Sequence, residues 1–197
     1  MSFTPGVGIV LWGEREGRAK GVSKESSNFS GRRMGCRDFF SDLIVHPSSF
    51  RLTTTLSLRS VHLQKDFPDL HITNTDSSPS VINKMSFSFP ASKWSVLDVL
   101  SSPLPSEATY DCVLDKCLLD AFLCEGTKVT KQALVEKYLT YCKAVSWRDM
   151  MVVSFGQPES RLQYIDCGVF RCVGVDEIAV KDKNGLNKKC WIYTLKR

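Results

Sequence analysis

The chain has 197 residues, 43% of them apolar and 24% charged, which suits one globular domain with a core of its own. No apolar run approaches the roughly 20 residues that cross a bilayer, so no membrane helix is expected. The formal charge of +5 is uneven: residues 1–60 carry nine Lys/Arg against five Asp/Glu, the rest 17 against 16. The near-neutral remainder argues against a nucleic-acid-binding face.

Of eight cysteines, Cys112, Cys117, Cys124, Cys142, Cys167, Cys172 and Cys190 are scattered through apolar segments without a C-x-x-C pair. They read as small buried hydrophobes in a reducing compartment, the cytoplasm. The usual zinc spacings are missing, so no metal site is expected.

Residues 1–55 read as poorly structured. Gly6, Gly8, Gly13, Gly17, Gly21, Gly31 and Gly35 recur among Ser and Arg with no helical or strand period. Gly6-Val-Gly8 follows no expected strand and lacks a G-x-x-G completion. Arg15, Arg18, Arg32 and Arg33 suggest a mitochondrial presequence, but Glu14, Glu16, Glu25 and Asp38 contradict it. Residues 56–197 form the organised domain. Residues 56–67 read as a helix, and residues 70–75 alternate like a strand that ends at Asp76. Ser77 or Ser78 caps the next helix with Pro79 in its first turn, and Val81, Ile82, Met85 and Phe89 make its apolar face. Residues 94–97 are a strand ending at Asp98.

The stretch Tyr110-Asp-Cys-Val-Leu114 is a short buried strand with Asp115 and Lys116 at its end. In an open α/β sheet ligands bind at the carboxyl ends of strands, so this pair is placed for work; it equally suits the cap of the following helix. A helix beginning near Thr127 or Thr130 carries Val135, Tyr138, Leu139 and Cys142 on one side, and residues 150–155 are a buried strand. Residues 169–180 and 190–195 are strands joined across Asn184-Gly185, a hairpin signal. This alternation means a mostly parallel sheet with helices on both faces and an antiparallel edge.

Three successive strands thus end in Asp76, Asp98 and Asp115, and parallel strands bring their carboxyl ends to one crevice. An acid after the second strand can accept from both ribose hydroxyls, and a second acid one strand away from an adenine amino group. A lone strand-end Asp is more often a helix cap or turn residue; three in succession weaken that reading.

Ile72-Thr-Asn-Thr-Asp76-Ser-Ser-Pro-Ser-Val-Ile-Asn-Lys-Met85 resembles the second motif of class I S-adenosylmethionine-dependent methyltransferases, and Trp94-Ser-Val-Leu-Asp98-Val resembles the third. Tyr110-Asp-Cys-Val-Leu-Asp115-Lys116-Cys-Leu-Leu-Asp120-Ala121 resembles the fourth in the form FDVVLDKGTLDA. That form is typical of the eukaryotic methyltransferase-like branch with the lysine methyltransferases of elongation factor 1-alpha and citrate synthase. Val152-Val-Ser-Phe-Gly-Gln-Pro158 is similar to that branch's fifth strand and exit loop. The resemblance runs from about Leu63 to the C-terminus. It implies a Rossmann-like seven-stranded fold closed by an antiparallel hairpin, and S-adenosylmethionine bound by Asp76, Asp98, Val99, Asp115 and Lys116. It further implies Asp115 and Asp120 lining a lysine slot, and Gln157 and Arg161 contacting a protein substrate such as a translation factor or metabolic enzyme. Solvated or capping roles stay open for each of these residues.

Two departures stand out. Cys117 and Leu118 replace the usual Gly-Thr. The glycine-rich first motif is absent: about 20 residues before Asp76 stands Leu52-Thr-Thr-Thr-Leu-Ser-Leu-Arg59, and no glycine lies between Gly35 and Gly126. The first strand and its loop are therefore expected to be absent or replaced, with residues 41–45 or 50–58 as the strand-like candidates for the vacated slot. Three functions remain: a protein-lysine methyltransferase, a non-catalytic remnant or interaction protein that keeps the sheet, and a dinucleotide oxidoreductase using NAD.

Overall fold

The computed structural model describes residues 8–13, 60, 61, 64, 71–108, 110–124, 126–181 and 186–197. Its elements are β1 (Gly8–Gly13), β2 (His71–Asp76), α1 (Pro79–Ser88), β3 (Lys93–Val96), β4 (Tyr110–Lys116), α2 (Leu118–Phe122), α3 (Lys128–Val145), β5 (Ser146–Ser154), α4 (Pro158–Ile165), β6 (Arg171–Lys181) and β7 (Asn187–Lys196). Most of the helix expected over residues 56–67 lies outside the described residues, although 60, 61 and 64 are helical. Asn184 and Gly185 also lie outside them, between the two strands they were expected to join.

Local chemistry sets several boundaries. Ser78 caps α1 by accepting from the Val81 N–H, with Pro79 where a missing N–H costs nothing. Thr127 caps α3 in the same way through the Thr130 N–H. In α3 the buried Val135, Tyr138, Leu139 and Cys142 recur at helical spacing, and the chain passes directly into β5 at Ser146. Helix α4, begun by Pro158 at its first turn, was not expected: eight residues give too short a period to separate it from a loop.

The strands make one sheet of order β3-β2-β1-β4-β5-β7-β6. The doubly wound, Rossmann-like order is followed from β3 to β5, and β7 inserts between β5 and β6. Strands β2 to β6 share one direction, while β1 and β7 run against them. The closing antiparallel hairpin is present, with Lys181 opposite Asn187. The sheet is nevertheless mixed: only β2–β3 and β4–β5 are parallel ladders. Helices α2, α3 and α4 pack on one sheet face, where Leu119, Tyr138, Leu139 and Ile165 meet Val113, Met150, Val152, Tyr193 and Leu195. Full burial of one such side chain is worth about 1.5–3 kcal/mol.

Within the segment read as poorly structured, Gly8–Gly13 is a strand and fills the central slot, antiparallel to both neighbours; residues 41–45 and 50–58 lie outside the described residues. The segment Ile9-Val-Leu-Trp12 is an unbroken apolar run between two glycines, a sequence pattern consistent with a central strand. Strands β2 and β4 would otherwise present unpaired N–H and C=O groups along two inner edges. A strand of either direction satisfies both. The register sets Gly8 opposite Asp76 on one side and Lys116 on the other, so β1 begins at the edge where β2 and β4 end.

Candidate active site at the carboxyl edge of the sheet

Asp76 is the last residue of β2 and is half-buried. Its Oδ1 accepts the Ser78 N–H at 2.8 Å. Burial raises its pKa and that hydrogen bond pulls the other way. No other side-chain hydrogen bond to it is made among the described residues, which leaves a carboxylate oxygen able to accept from a ligand hydroxyl. Asp98 lies two residues beyond β3 and is exposed. Both its oxygens turn back onto its own loop, accepting from the Leu100 N–H at 3.0 Å and the Ser101 hydroxyl at 2.8 Å. These bonds lower its pKa. The neighbouring Val99 is buried in the main core, so it can only offer backbone to a ligand.

Asp115 and Lys116 belong to β4 itself, which is two residues longer than expected. Asp115 is fully buried. Its carboxylate accepts the Leu118 N–H at 2.8 Å and the Leu119 N–H at 3.0 Å, satisfying the first orphan donors of α2. Loss of water pushes its pKa up to about 7, against the pull of those N–H groups and of the Tyr138 hydroxyl. Tyr138 is itself fully buried. Its hydroxyl faces Asp115 and Cys142 in a geometry too poor for a full hydrogen bond. The Asp115 side chain therefore takes the capping role that the sequence left open.

Between Asp115 and α2 the chain turns through Cys117, whose φ of 64° is the left-handed region. The resembling motif carries glycine at this position, and the backbone explains why: a Cβ is disfavoured there. Burial and the nearby Asp120 and Asp115 push the Cys117 thiol up to about 12, so it stays protonated and unreactive at neutral pH.

Asp120 and Arg161, read from the sequence as a slot carboxylate and a substrate contact, meet each other. Arg161 Nε donates to Asp120 Oδ1 at 2.9 Å and to Ser154 Oγ at 3.1 Å. Asp120 also accepts from the Ser154 hydroxyl and from the Phe155 N–H at 2.9 Å. The Gly156 N–H donates to Ser154 Oγ at 2.9 Å, and the Tyr193 hydroxyl donates to the Gly156 carbonyl at 2.7 Å. The guanidinium lies against Gly156, where a Cβ would come within 2.0 Å of Arg161 Cζ. Burial raises the Tyr193 pKa, with Arg161 opposing it. Gln157 is exposed and stands at the N-cap of α4, its side chain making no capping bond. Ser154, Gly156 and Tyr193 were missed as site residues. Ser154 and Gly156 lie within the Val152–Pro158 stretch that resembles a fifth strand and exit loop, but nothing local marks Tyr193.

At the centre of this edge stands the start of the reversed β1, with Gly8 opposite Asp76 and Lys116. Among the described residues no cluster of His, Cys, Asp and Glu could hold a metal ion, and no helix is long and apolar enough to cross a membrane.

No protein-family profile matches the chain, and no curated protein matches it. Among solved structures, one titled for the conversion of a disulfide into a thioacetal in echinomycin biosynthesis is 16% identical, with a TM-score of 0.47. It aligns with 62% of this chain, which spans under two thirds (64%) of it. A methyltransferase dependent on S-adenosylmethionine from Methanosarcina mazei is 10% identical over 62% of this chain and 80% of its own, at 0.45. A TehB-like methyltransferase of the same dependence from Corynebacterium glutamicum is 14% identical over 62% and 66%, at 0.40. These are distant likenesses. The α/β, Rossmann-like description of the chain rests on its own strand order.

Proposed function

We propose that the chain is an S-adenosylmethionine-dependent methyltransferase-like protein whose acceptor is a lysine of another protein. The observation that carries this reading is the half-buried Asp76 carboxylate at the end of β2, in a sheet of doubly wound order. The run Asp115-Lys116 to Asp120-Ala121 at the exit of β4 supports the lysine class by its resemblance to that branch. Asp76 takes the ribose hydroxyls, Asp98 the adenine amino group, and Val99 and Lys116 complete the nucleoside edge. The cofactor, when bound, supplies an electrophilic methyl group on a sulfonium. The chain's own part is alignment and exclusion of water, together with low-dielectric surroundings that help a lysine of ordinary pKa about 10.4 shed its proton. Gln157 contacts the substrate, a translation factor or metabolic enzyme in the cytoplasm.

A second reading, a non-catalytic protein that keeps the sheet, is favoured by the reversed β1. Calorimetric titration separates them. S-adenosylmethionine should give heat, and Asp76→Ala should weaken it by about 1.5–3 kcal/mol, one charge-assisted hydrogen bond. Heat with neither S-adenosylmethionine nor NAD selects the second reading. Heat with NAD alone selects an oxidoreductase.

A further inference from the structure

At the carboxyl edge, Val96 at the end of β3 and Phe155 beyond β5 are large apolar side chains exposed to solvent. Phe155, the first residue after β5, is 41% exposed. Isolated exposed aromatics are common and need no explanation. The backbone beneath this one is unusual. The Phe155 N–H is held by Asp120, the Gly156 N–H by Ser154, and the Gly156 carbonyl by Tyr193. Arg161 lies against Gly156 and binds both Asp120 and Ser154. Side chains from α2, β5, α4 and β7 thus fix the backbone of two loop residues, the one that carries the ring included. Cys117 at the exit of β4 donates its N–H to the Val153 carbonyl at 2.9 Å, so the β4 exit is tied to the end of β5, two residues before Phe155.

The same network changes what an amine would meet here. The Asp115 carboxylate is buried under the N–H groups of α2, and the Asp120 charge is matched by Arg161. Neither is presented to an incoming ammonium. The Phe155 ring is partly exposed, and an aromatic face attracts cations through its ring quadrupole while keeping water away from the alkyl stem.

We propose that Phe155 is the acceptor-contacting residue, its ring holding the alkyl-ammonium side chain of a lysine, and that Asp120 and Arg161 are positioning residues that present it. The acceptor class rests on the methyl-transfer reading; the roles of these three residues go beyond it.

The test labels the full chain with 4-fluorophenylalanine and assigns the Phe155 fluorine resonance by its absence in Phe155→Leu. N-acetyl-lysine methylamide and the uncharged N-acetyl-norleucine methylamide are then titrated into the millimolar range. The Phe155 resonance should move with the lysine probe, and the norleucine probe should bind about three- to fivefold more weakly. Phe155→Tyr, labelled with 3-fluorotyrosine, should retain the lysine preference. Asp120→Asn should reduce the lysine response while leaving the heat of S-adenosylmethionine binding as in the parent chain; should that variant fail to fold, Arg161→Lys takes its place. An unmoved Phe155 resonance, or equal response to both probes, overturns the inference. A lysine response without heat from S-adenosylmethionine sinks the methyl-transfer reading and leaves Phe155 a lysine-binding residue. Heat with an unmoved Phe155 sinks this inference alone.

Discussion

Arg161 donates from Nε to Asp120 Oδ1 at 2.9 Å, joining α4 to α2 across 41 residues of chain. Only 18% of the Arg161 side chain and 15% of the Asp120 side chain is exposed, so water screens the pair little. Removing one partner leaves the other charge poorly compensated, and Asp120→Ala should lower unfolding stability by about 3 kcal/mol. A double-mutant cycle with Arg161→Ala should return a coupling of about 1–3 kcal/mol in denaturant titrations. Additive losses would show that the two side chains act independently.

Gly156 leaves room for that pair. A methyl group there would meet Arg161 Cζ at 2.0 Å, and the guanidinium, being the end of a flexible side chain, would swing away. Gly156→Ala should therefore cost about 1–3 kcal/mol, mostly through the lost Arg161 bonds. The same substitution should cost much less in an Arg161→Ala background, again measured by denaturant unfolding.

Cys117 is the one described non-glycine residue at positive φ. A left-handed L-residue costs roughly 1–2 kcal/mol, while glycine returns part of that gain as unfolded-chain entropy, about 0.4–1 kcal/mol. Cys117→Gly should thus leave stability unchanged or slightly raised. Cys117→Val, branched at Cβ, should lower it. Paired melting curves of the two variants check the ordering.

Asp115 gives the chain a pH dependence. Its folded pKa of about 7 lies above the ordinary 3.8, so the folded state holds an extra proton between those values. Stability from this group is fully present below about pH 4 and is lost as pH rises to about 7. Each tenfold difference in proton affinity is worth about 1.4 kcal/mol, which sets a ceiling on the order of 4 kcal/mol. Asp115→Asn cannot titrate. The stability of the parent chain relative to that variant should fall from pH 4 to 7 and level off above.

The sequence by itself determined the elements whose signals are local. The Ser77-Ser78 pair and Thr127 or Thr130 announce their helices to within a turn because a cap acts over three residues, and Val135, Tyr138, Leu139 and Cys142 mark a helix face because its period is fixed by backbone geometry. The placement of Asp76 and Asp98 at or just past strand ends was legible for the same reason. Only the tertiary structure decided which strand fills the centre and in which direction, because Gly8–Gly13 is chosen by two edges left open far along the chain. It also turned Asp115 inward to cap α2, a choice between burial and solvent that the residue type leaves undecided. And it joined Asp120 to Arg161 and Ser154, and Tyr193 to Gly156, since contacts made across tens of residues follow no spacing that a sequence displays.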